Sequence, residues 1–275
     1  MKRGIGITTK CCCGDTFQEC IHNIRSAGFD AVMVDAANMS PDELGRCIGL
    51  AKRAGLGVPY VHLNCADANN MWAHGEAHKQ FIQNLKASID ACARNGVPVA
   101  VFHASYNSKP EVSALPVSLH TLDTMRGITN YAAKRNVKLA IENIDRANLE
   151  HLYFLLDNIT SPYFGFCYDS GHHMLFAPEI DYLARYGDRL FAVHLQDNQR
   201  NSPVKSWKDD QHMLPGDGKI DFDKIAADIA KSCYRGVVML EVNRSSPSNL
   251  YNNMPADEYL KRAYECGTKI ANKIN

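Results

Sequence analysis

The chain has 275 residues, and a (β/α) barrel of about 250 residues would fill it as one domain. Apolar residues make up 45% of the sequence, which is enough for a sizeable core. The 30 Lys and Arg residues balance 30 Asp and Glu residues. This balance excludes an overall basic bias toward nucleic acid or an anionic membrane, so we expect no nucleic-acid partner.

The N-terminus, MKRGIGITTK, lacks the apolar core of a signal peptide, and no apolar run approaches the about 20 residues of a membrane span. We therefore expect a soluble, cytoplasmic protein without a membrane partner. The 10 cysteines form no C-x-x-C pair and no disulfide framework, which predicts free thiols. Cys11, Cys12 and Cys13 stand in a predicted loop, where incidental thiols are a better interpretation than a redox or metal site.

Eight apolar runs are predicted to be β-strands. They are rich in Val, Ile and Ala with little alternation, which is typical of strands buried on both faces of a parallel sheet. In chain order the runs are 4–9, 30–36, 58–64, 97–104, 137–144, 164–170, 190–197 and 236–242.

Helix signals separate these strands. Residues that tolerate positive φ precede four of the strands and predict left-handed helix C-caps: Gly28, Gly55, Asn95-Gly96 and Asn136. Ser40 to Glu43 opens a helix with a capping box and with Pro at the first helical position. Helical periodicity also predicts a helix from 221 and a last helix over 255–274.

Eight strands, each followed by a helix, predict an α/β protein with a closed (β/α)8 TIM barrel that occupies residues 1–275 as a single domain. The alternative is a doubly wound open sheet, which usually has fewer strands. Neither G-x-G-x-x-G after the first strand nor G-x-x-x-x-G-K-[ST] occurs, so no usual phosphate-binding loop supports that alternative. The longest connection, 198–220, follows the seventh strand, and long loops of this kind are usually functional.

Metal-type side chains lie near the same end of six consecutive predicted strands. They are His62, His103, Glu142, Asp169 with His172, His194 with Asp210 and His212 in its loop, and Glu241. A single histidine in a strand is more often a core residue, but buried carboxylates are costly unless they are paired or bind a metal. Because a barrel brings the carboxyl ends of its strands to one mouth, the set predicts a metal site.

The donor types indicate which ion this site would take. Carboxylate oxygens mixed with imidazole nitrogens suit Mn²⁺, Zn²⁺, Co²⁺ or Fe²⁺, whereas Mg²⁺ prefers oxygen ligands throughout. No cysteine is expected in the cluster, which argues against a closed structural zinc site. His173, next to His172, is interpreted as a structural residue.

Several segments resemble the xylose isomerase-like TIM-barrel superfamily, of the sugar phosphate isomerase/epimerase type. The resemblance covers nearly the whole chain, and its most specific segments are LAIENI, YDSGHH, VHLQDN, HMLPGDGKIDF and MLEVN, with NMWAHG at 70–75. The superfamily includes sugar and sugar-phosphate isomerases and epimerases, inosose dehydratase-like proteins and endonuclease IV. The resemblance implies a metal-dependent enzyme of carbohydrate metabolism whose partner is a small sugar.

The ketose 3-epimerases of this superfamily imply particular roles. Their single divalent metal, for which Mn²⁺ is the first expectation here, is held by residues that match Glu142, Asp169, His194 and Glu241. The resemblance makes Glu142 and Glu241 the proton-transfer pair and gives His172 a substrate contact. The chemistry is consistent, because removing a proton next to a carbonyl builds negative charge on oxygen that a chelating metal stabilises. A carboxylate on each face lets the proton leave one face and return to the other.

Endonuclease IV is the rival within the same resemblance. Its three-zinc site implies metal roles for His62, His103, His172, Asp210 and His212, all of which otherwise are substrate-binding candidates. The neutral charge and the lack of a basic, aromatic loop argue against DNA cleavage, so a sugar isomerase or epimerase is favoured. A cyclitol dehydratase or isomerase and a binding protein without chemistry are further alternatives.

Trp72, after the third strand, is interpreted either as a lid that stacks on a sugar or as a packed loop anchor. Five cations are candidate phosphate contacts, although most such charges are simply solvated: Lys109, Arg200, Lys205, Lys219 and Arg244. The identity of the sugar, its phosphorylation and the position of proton transfer stay open. A homo-oligomer is implied by the family resemblance only.

Overall fold

A computed structural model describes residues 3–105, 116–144, 149–199 and 209–274 of the chain. The strands in these ranges are β1 Ile5–Thr8, β2 Ala31–Asp35, β3 Tyr60–His62, β4 Val99–His103, β5 Lys138–Glu142, β6 Phe164–Asp169, β7 Leu190–His194 and β8 Val238–Leu240. The α-helices are α1 Phe17–Ser26, α2 Pro41–Arg53, α3 Glu76–Arg94, α4 Leu119–Ala133, α5 Leu149–Asn158, α6 Ser170–Phe176, α7 Tyr182–Tyr186, α8 Phe222–Lys231 and α9 Ala256–Ile274. All eight predicted strands are confirmed, with shorter bounds.

The strands form one parallel sheet in the order β7-β6-β5-β4-β3-β2-β1-β8, so that neighbours in the chain are neighbours in space. The two edges meet at a bridge between Leu195 and Leu240. There the Leu195 N–H donates to Met239 O at 2.9 Å and the Glu241 N–H donates to Leu195 O at 3.1 Å. The predicted TIM barrel is therefore confirmed, and the doubly wound alternative is wrong.

The barrel wall separates two apolar cores. A small inner core fills the barrel and consists of Ala31, Met33, Tyr60, Val99, Val101, Ala140, Cys167, Ala192 and Met239. A larger outer core lies between the wall and the helices. As predicted, α8 turns Phe222, Ile225 and Ile229 into that outer core.

The predicted helix ends are confirmed by the backbone. Gly28, Gly55, Gly96 and Asn136 have φ values of +93°, +81°, +61° and +55°, which is the left-handed conformation expected after a helix. At the start of α2 the Ser40 hydroxyl accepts from the Glu43 N–H, which confirms the N-cap, but the hydrogen bonds of the described residues do not include the return bond from the Glu43 side chain that completes a capping box. The helices therefore stop where each next strand must enter the wall.

The side chains that follow the inner core toward the mouth of the barrel can be read from strand periodicity. Alternate residues of a strand face the same side of a sheet. On seven strands the residue two positions beyond an inner-core residue is polar, and these residues are Asp35, His62, His103, Glu142, Asp169, His194 and Glu241. The inner face thus changes from apolar to ionisable at the carboxyl ends of the strands.

All 10 cysteines are free. Cys11 and Cys13 are buried in the loop after β1, and Cys12 between them is exposed. Within the described residues, no helix combines the length and apolar character needed to cross a lipid bilayer.

Candidate metal centre

Four side chains from β5 to β8 and their ends meet at the mouth of the barrel. Glu142, Asp169, His194 and Glu241 each place a ligand atom within 4.8 Å of the others. All four residues are buried. The structure therefore brings together the four residues that the sequence analysis selected as one ligand set.

The sheet register and one helix cap position these side chains. His103 pairs with Glu142 across β4 and β5, and Asp169 pairs with His194 across β6 and β7. Asp169 is also the N-cap of α6, where its Oδ1 accepts from the His172 N–H at 2.7 Å. The cap fixes the carboxylate and places His172 one helical turn beyond it.

His194 lies between the two glutamates. Its Nδ1 is 3.2 Å from Glu142 Oε1 and 2.9 Å from Glu241 Oε2. Among the described residues, none of these three buried atoms has a well-directed hydrogen bond. A buried polar atom without a partner costs about 1–3 kcal/mol. A divalent cation would satisfy all three atoms, so the donor set fits a metal.

The electrostatic environment distinguishes the carboxylates. Burial favours their protonation, but His194 and nearby histidines hold the pKa of Glu142 well below its usual range and lower the pKa of Glu241 to about 2. Burial raises the pKa of Asp169 to about 7, with Glu142 and Glu241 adding to the effect and His172 opposing it. Burial opposes a charge on His194, yet Cys167 and the two glutamates raise its pKa well above the usual range. A metal would therefore displace protons from this group.

A second group lies on the side of β3 and β4. His62 Nε2 is 2.9 Å from His103 Nε2 and 3.1 Å from Glu142 Oε2. Burial opposes a charge on His62, but its hydrogen bond with Glu142 raises its pKa. Burial lowers the pKa of His103 to about 4. A neutral His103 therefore sits beside a His62 that favours the charged form and contacts Glu142.

A third group lies over β6 and the loop after β7. Asp210 Oδ2 is 3.3 Å from His172 Nε2 and 3.0 Å from His212 Nε2. His172 Nδ1 is in turn 3.3 Å from Glu142 Oε1, so His172 links this group to the central one. His212 has φ +45°, which is uncommon for a residue with a side chain, and its Nδ1 lies 2.8 Å from Glu241 O.

Two amide side chains that the sequence analysis did not select support these groups. Asn143 exchanges two hydrogen bonds of 2.8 Å with the backbone of Asp169. Gln196 Nε2 donates to Asp169 Oδ1 at 3.3 Å and to Asp210 Oδ1 at 3.2 Å. Both follow a predicted site residue by one or two positions, and that adjacency is the signal that could have identified them.

Asp197 fixes the loop that carries Asp210 and His212. Its carboxylate accepts from four backbone N–H groups at 2.8–3.0 Å, those of Asn198, Gly216, Gly218 and Ile220. A Cβ on Gly218 would lie 2.2 Å from Asp197 Oδ1, so a side chain does not fit there. The PGDG sequence is therefore a tight support for the loop.

The expectation that no cysteine falls in the cluster is wrong. Cys65 groups with His62 and His103, and Cys167 groups with Glu142 and His194. Burial raises the pKa of Cys167 to about 12 and also raises the pKa of Cys65, so both stay protonated in the absence of a metal.

Trp72 and His173 have packing roles in the structure. The Trp72 ring stacks on His151 with centroids 4.0 Å apart, and its Nε1 donates to Ala104 O at 2.7 Å. These contacts favour the loop-anchor interpretation over a sugar-stacking lid. His173 Nδ1 and the Tyr168 hydroxyl share a hydrogen bond of 2.8 Å, which agrees with a structural role.

Of the candidate phosphate contacts, Lys109, Arg200 and Lys205 lie outside the described residues. Arg244 donates to the backbone carbonyls of Cys12 and Met254 at 3.0 and 3.1 Å. Its guanidinium therefore ties the loop after β8 to the loop after β1.

The structure is thus a TIM barrel whose strand ends bring buried carboxylates and histidines together in a candidate metal site. The chain belongs to the xylose isomerase-like TIM barrel family, whose model matches residues 21–269. This match confirms the resemblance found in the sequence.

Relatives of known sequence include an uncharacterised protein of Sinorhizobium fredii, y4fM. It is 32% identical over 214 residues, which are 74% of this chain and 65% of that relative, slightly less than two thirds of its length. The inosose isomerase of Bacillus licheniformis is 20% identical over 204 residues, which are 72% of this chain and 71% of the relative.

Solved structures with similar folds include the IOLI protein with a binding zinc atom. It superposes with a TM-score of 0.78 at 17% identity and covers 100% of this chain and 99% of its own. D-allulose 3-epimerase from Methylomonas sp., in complex with D-allulose, superposes with a TM-score of 0.74 at 17% identity over 96% of each chain. At such identities the similarity shows the fold alone.

Proposed function

We propose that the protein is a divalent-metal-dependent isomerase or epimerase of a sugar or sugar phosphate, with Glu142 and Glu241 as its proton-transfer pair. The main support is the convergence of Glu142 Oε1 and Glu241 Oε2 on His194 Nδ1, at 3.2 and 2.9 Å. Glu142, Asp169, His194 and Glu241 would hold the ion. Mn²⁺ is our first expectation, and Zn²⁺, Co²⁺, Fe²⁺ or Mg²⁺ are alternatives.

The proposed chemistry divides between the ion and the two glutamates. When bound, the ion would polarise the substrate's carbonyl and hydroxyl oxygens. Glu142 comes from β5 and Glu241 follows β8, so the two carboxylates extend from separate parts of the wall. The pKa of each is held low, so both carboxylates are ionised, which is the form that a general base requires. One takes the proton from the substrate carbon, and the other or the same one returns it.

The histidines position Glu142 for this role. Its Oε2 lies 3.1 Å from His62 Nε2, and its Oε1 lies 3.3 Å from His172 Nδ1. Imidazole rings therefore flank the carboxylate on two sides, which limits its rotation. A base that is held in this way keeps its orientation toward the substrate.

The direct test measures metal content and proton exchange together. The purified protein, loaded with Mn²⁺, is incubated in D₂O with D-allulose, D-tagatose, L-ribulose, the phosphate esters of these ketoses and an inosose, and deuterium at carbon is measured by mass spectrometry. We expect at least one bound ion per chain and deuterium uptake into at least one compound. A metal-loaded protein that exchanges no carbon-bound hydrogen in any of them would contradict the proposal and favour a binding protein.

A cyclitol substrate is a variant of this proposal. Its support is the similarity to an inosose isomerase across 72% of the chain. The same D₂O panel separates the variants, because a cyclitol enzyme would label the inosose and leave the ketoses unlabelled. Loss of water from the inosose, seen by mass, would indicate a dehydratase.

A second candidate is an endonuclease IV-like phosphodiesterase that acts on abasic DNA. The observation that favours it is the presence of two further groups beside the central one: His62, Cys65 and His103, and His172, Asp210 and His212. The zero net charge argues against binding to a DNA backbone. Cleavage of an oligonucleotide with one abasic site, together with three ions per chain, would favour the nuclease.

We further propose that residues 1–275 act as one barrel domain in the cytoplasm. A small sugar or cyclitol, and no nucleic acid, is the proposed partner. A homo-oligomer is consistent with the family, and sedimentation velocity of the metal-loaded protein would measure it.

A further inference from the structure

Asp35 is a carboxylate at the barrel mouth that the proposed proton transfer does not use. It stands two residues after Met33 of the inner core, which is the position that Glu142 occupies on β5. It pairs with His62 across β2 and β3, and its side chain is only 3% exposed. Strand periodicity therefore turns Asp35 toward the same mouth as the candidate metal ligands.

Lys10 covers this carboxylate from the loop after β1. Its Nζ lies 3.0 Å from Asp35 Oδ2, and 56% of its side chain is exposed. The backbone is fixed on both sides, because the Lys10 N–H donates to Thr8 Oγ1 at 3.2 Å and the Asp35 N–H donates to Thr9 Oγ1 at 3.1 Å. An accessible ammonium group thus lies against a carboxylate that cannot move far.

Asp35 retains capacity to accept a hydrogen bond. Its Oδ1 accepts from the Ala37 N–H at 2.9 Å. Its Oδ2 is buried and, among the described residues, makes no well-directed hydrogen bond even though Lys10 is close. A carboxylate oxygen has two acceptor sites, so this oxygen can accept from the hydroxyl of a bound molecule while Lys10 stays close.

The pair is electrostatically connected to the candidate metal centre. Burial opposes the charge on Lys10, but Asp35 first, and then Glu241 and Glu142, raise its pKa above the usual range. The charge of Asp35 also favours the protonated form of His62. Because Lys10 follows β1 and Asp35 ends β2, the pair lies on the side of the mouth away from β6 and β7.

We propose that Lys10 and Asp35 form a specificity-determining pair that binds a hydroxyl group of the substrate away from its reacting carbons. Lys10 Nζ donates a hydrogen bond to the hydroxyl oxygen, and Asp35 Oδ2 accepts a hydrogen bond from the hydroxyl group. Because Asp35 balances the charge of Lys10, the pair suits a neutral hydroxyl better than a phosphate ester, which calls for unbalanced cations. This inference rests on the proposed isomerase or epimerase function.

The test uses three variants of the metal-loaded, full-length protein. Lys10→Met removes the donor and keeps an unbranched apolar stem. Asp35→Asn removes the charge and keeps an oxygen that can accept from the Ala37 N–H. We expect either single variant to raise KM about 10- to 100-fold with kcat changed less than about threefold, because the contact is the same in the bound and transition states. The double variant should raise KM no more than the more severe single variant, since one hydroxyl group makes both hydrogen bonds.

Lys224→Met is the matched control. Lys224 also pairs with a carboxylate, that of Asp228 at 2.6 Å, but on the outer helix α8. The Lys224→Met variant should leave KM unchanged. The double variant also serves if Lys10→Met fails to fold. Lys10→Met alone leaves a buried carboxylate without its cation, whereas the double variant removes both charges. Melting curves establish which variants are folded.

The outcomes separate this inference from the proposed function. If wild-type protein labels none of the ketoses, their phosphate esters or the inosose in D₂O, the proposed function fails and the pair loses its substrate. If wild-type protein labels one of them and the folded variants keep KM within about twofold, the pair alone is refuted. A wild-type preference for the phosphate ester of that ketose, abolished by Lys10→Met, would also refute the neutral-hydroxyl role.

Discussion

Replacing Glu142 with Gln tests the centre of the site with little change of shape. The carboxylate lies 3.1–3.4 Å from four imidazole nitrogens, those of His62, His103, His172 and His194. The substitution removes the negative charge that these nitrogens surround. It also replaces an ionised base with an amide that accepts protons poorly.

The magnitude follows from these two losses. A positioned general base contributes about 10²- to 10⁴-fold to rate, which is about 3–5 kcal/mol of transition-state stabilisation. Loss of a charged metal ligand adds to this, so we expect Glu142→Gln to lower proton exchange at least about 10³-fold. Glu241→Gln should lower exchange similarly. Among the described residues the Glu241 carboxylate contacts one imidazole, His194 Nδ1 at 2.9 Å, so we expect Glu241→Gln to lose less metal affinity than Glu142→Gln.

The assay is deuterium uptake from D₂O at saturating substrate and metal, with bound metal measured on the same sample. Glu150→Gln on α5 is the matched control, because Glu150 is exposed and lies away from the central group. It should retain wild-type exchange. If either Glu142→Gln or Glu241→Gln binds metal and retains more than about a tenth of wild-type exchange, the two-glutamate mechanism is wrong.

The other predictions concern metal and loop. Chelation of the metal should lower the melting temperature. Adding Mn²⁺ at 100 times its Kd should raise the free energy of unfolding by about 2.7 kcal/mol, whereas a protein with no metal site would show no change. Metal affinity should rise with pH, because His194 has a raised pKa and Asp169 a pKa of about 7, and both must lose protons to bind an ion. Competition titrations at about pH 6 and about pH 8 measure this, and equal affinities would contradict it. Gly218→Ala should destabilise the protein by about 1–3 kcal/mol by clashing with Asp197, whereas Gly127→Ala in α4, which has open space, should stabilise it by about 0.5–1 kcal/mol in denaturant titrations.

The sequence was sufficient to predict the barrel because its local signals agree with its fold. Each left-handed cap, such as Gly28 or Asn136, ends a helix and admits the next strand. The eightfold count then leaves few topologies for a parallel sheet. The strand bounds were less predictable, because β3 keeps only Tyr60–His62 of the predicted run and its neighbouring residues continue as loop.

Much of the candidate site was also predictable, for a geometric reason. Barrel closure converts strand-end positions into proximity, so Glu142 and Glu241 meet although 98 residues lie between them in the sequence. Residues whose position depends on loop conformation were harder to predict from the sequence. Trp72 was ambiguous because loop sequence does not determine which way a ring faces, and the structure turns it onto His151.

The two thiols show a different limit. Cys167 lies on the inner face of β6, two residues before Asp169, so strand periodicity alone would have placed it beneath the ligand group. Cys65 follows β3 in a loop, where periodicity gives no direction. Its position beside His103 depends on a contact between its Sγ and the His103 N–H at 3.3 Å, which only the structure provides.

The same distinction accounts for the Lys10 and Asp35 pair. Asp35 obeys the two-residue period of β2 and could have been selected with the other strand ends, whereas the direction of Lys10 is set by the loop after β1. The candidate ligands come from β5 to β8, whereas Lys10 follows β1 and Asp35 ends β2, so the proposed metal side and the proposed hydrogen-bonding side of the mouth are separate. A polyhydroxylated substrate fits this division, because its carbonyl end would need the ion and its remaining hydroxyls would need a donor and an acceptor whose charges balance. Substitutions on the first side should therefore act on kcat and metal content, and substitutions on the second side on KM.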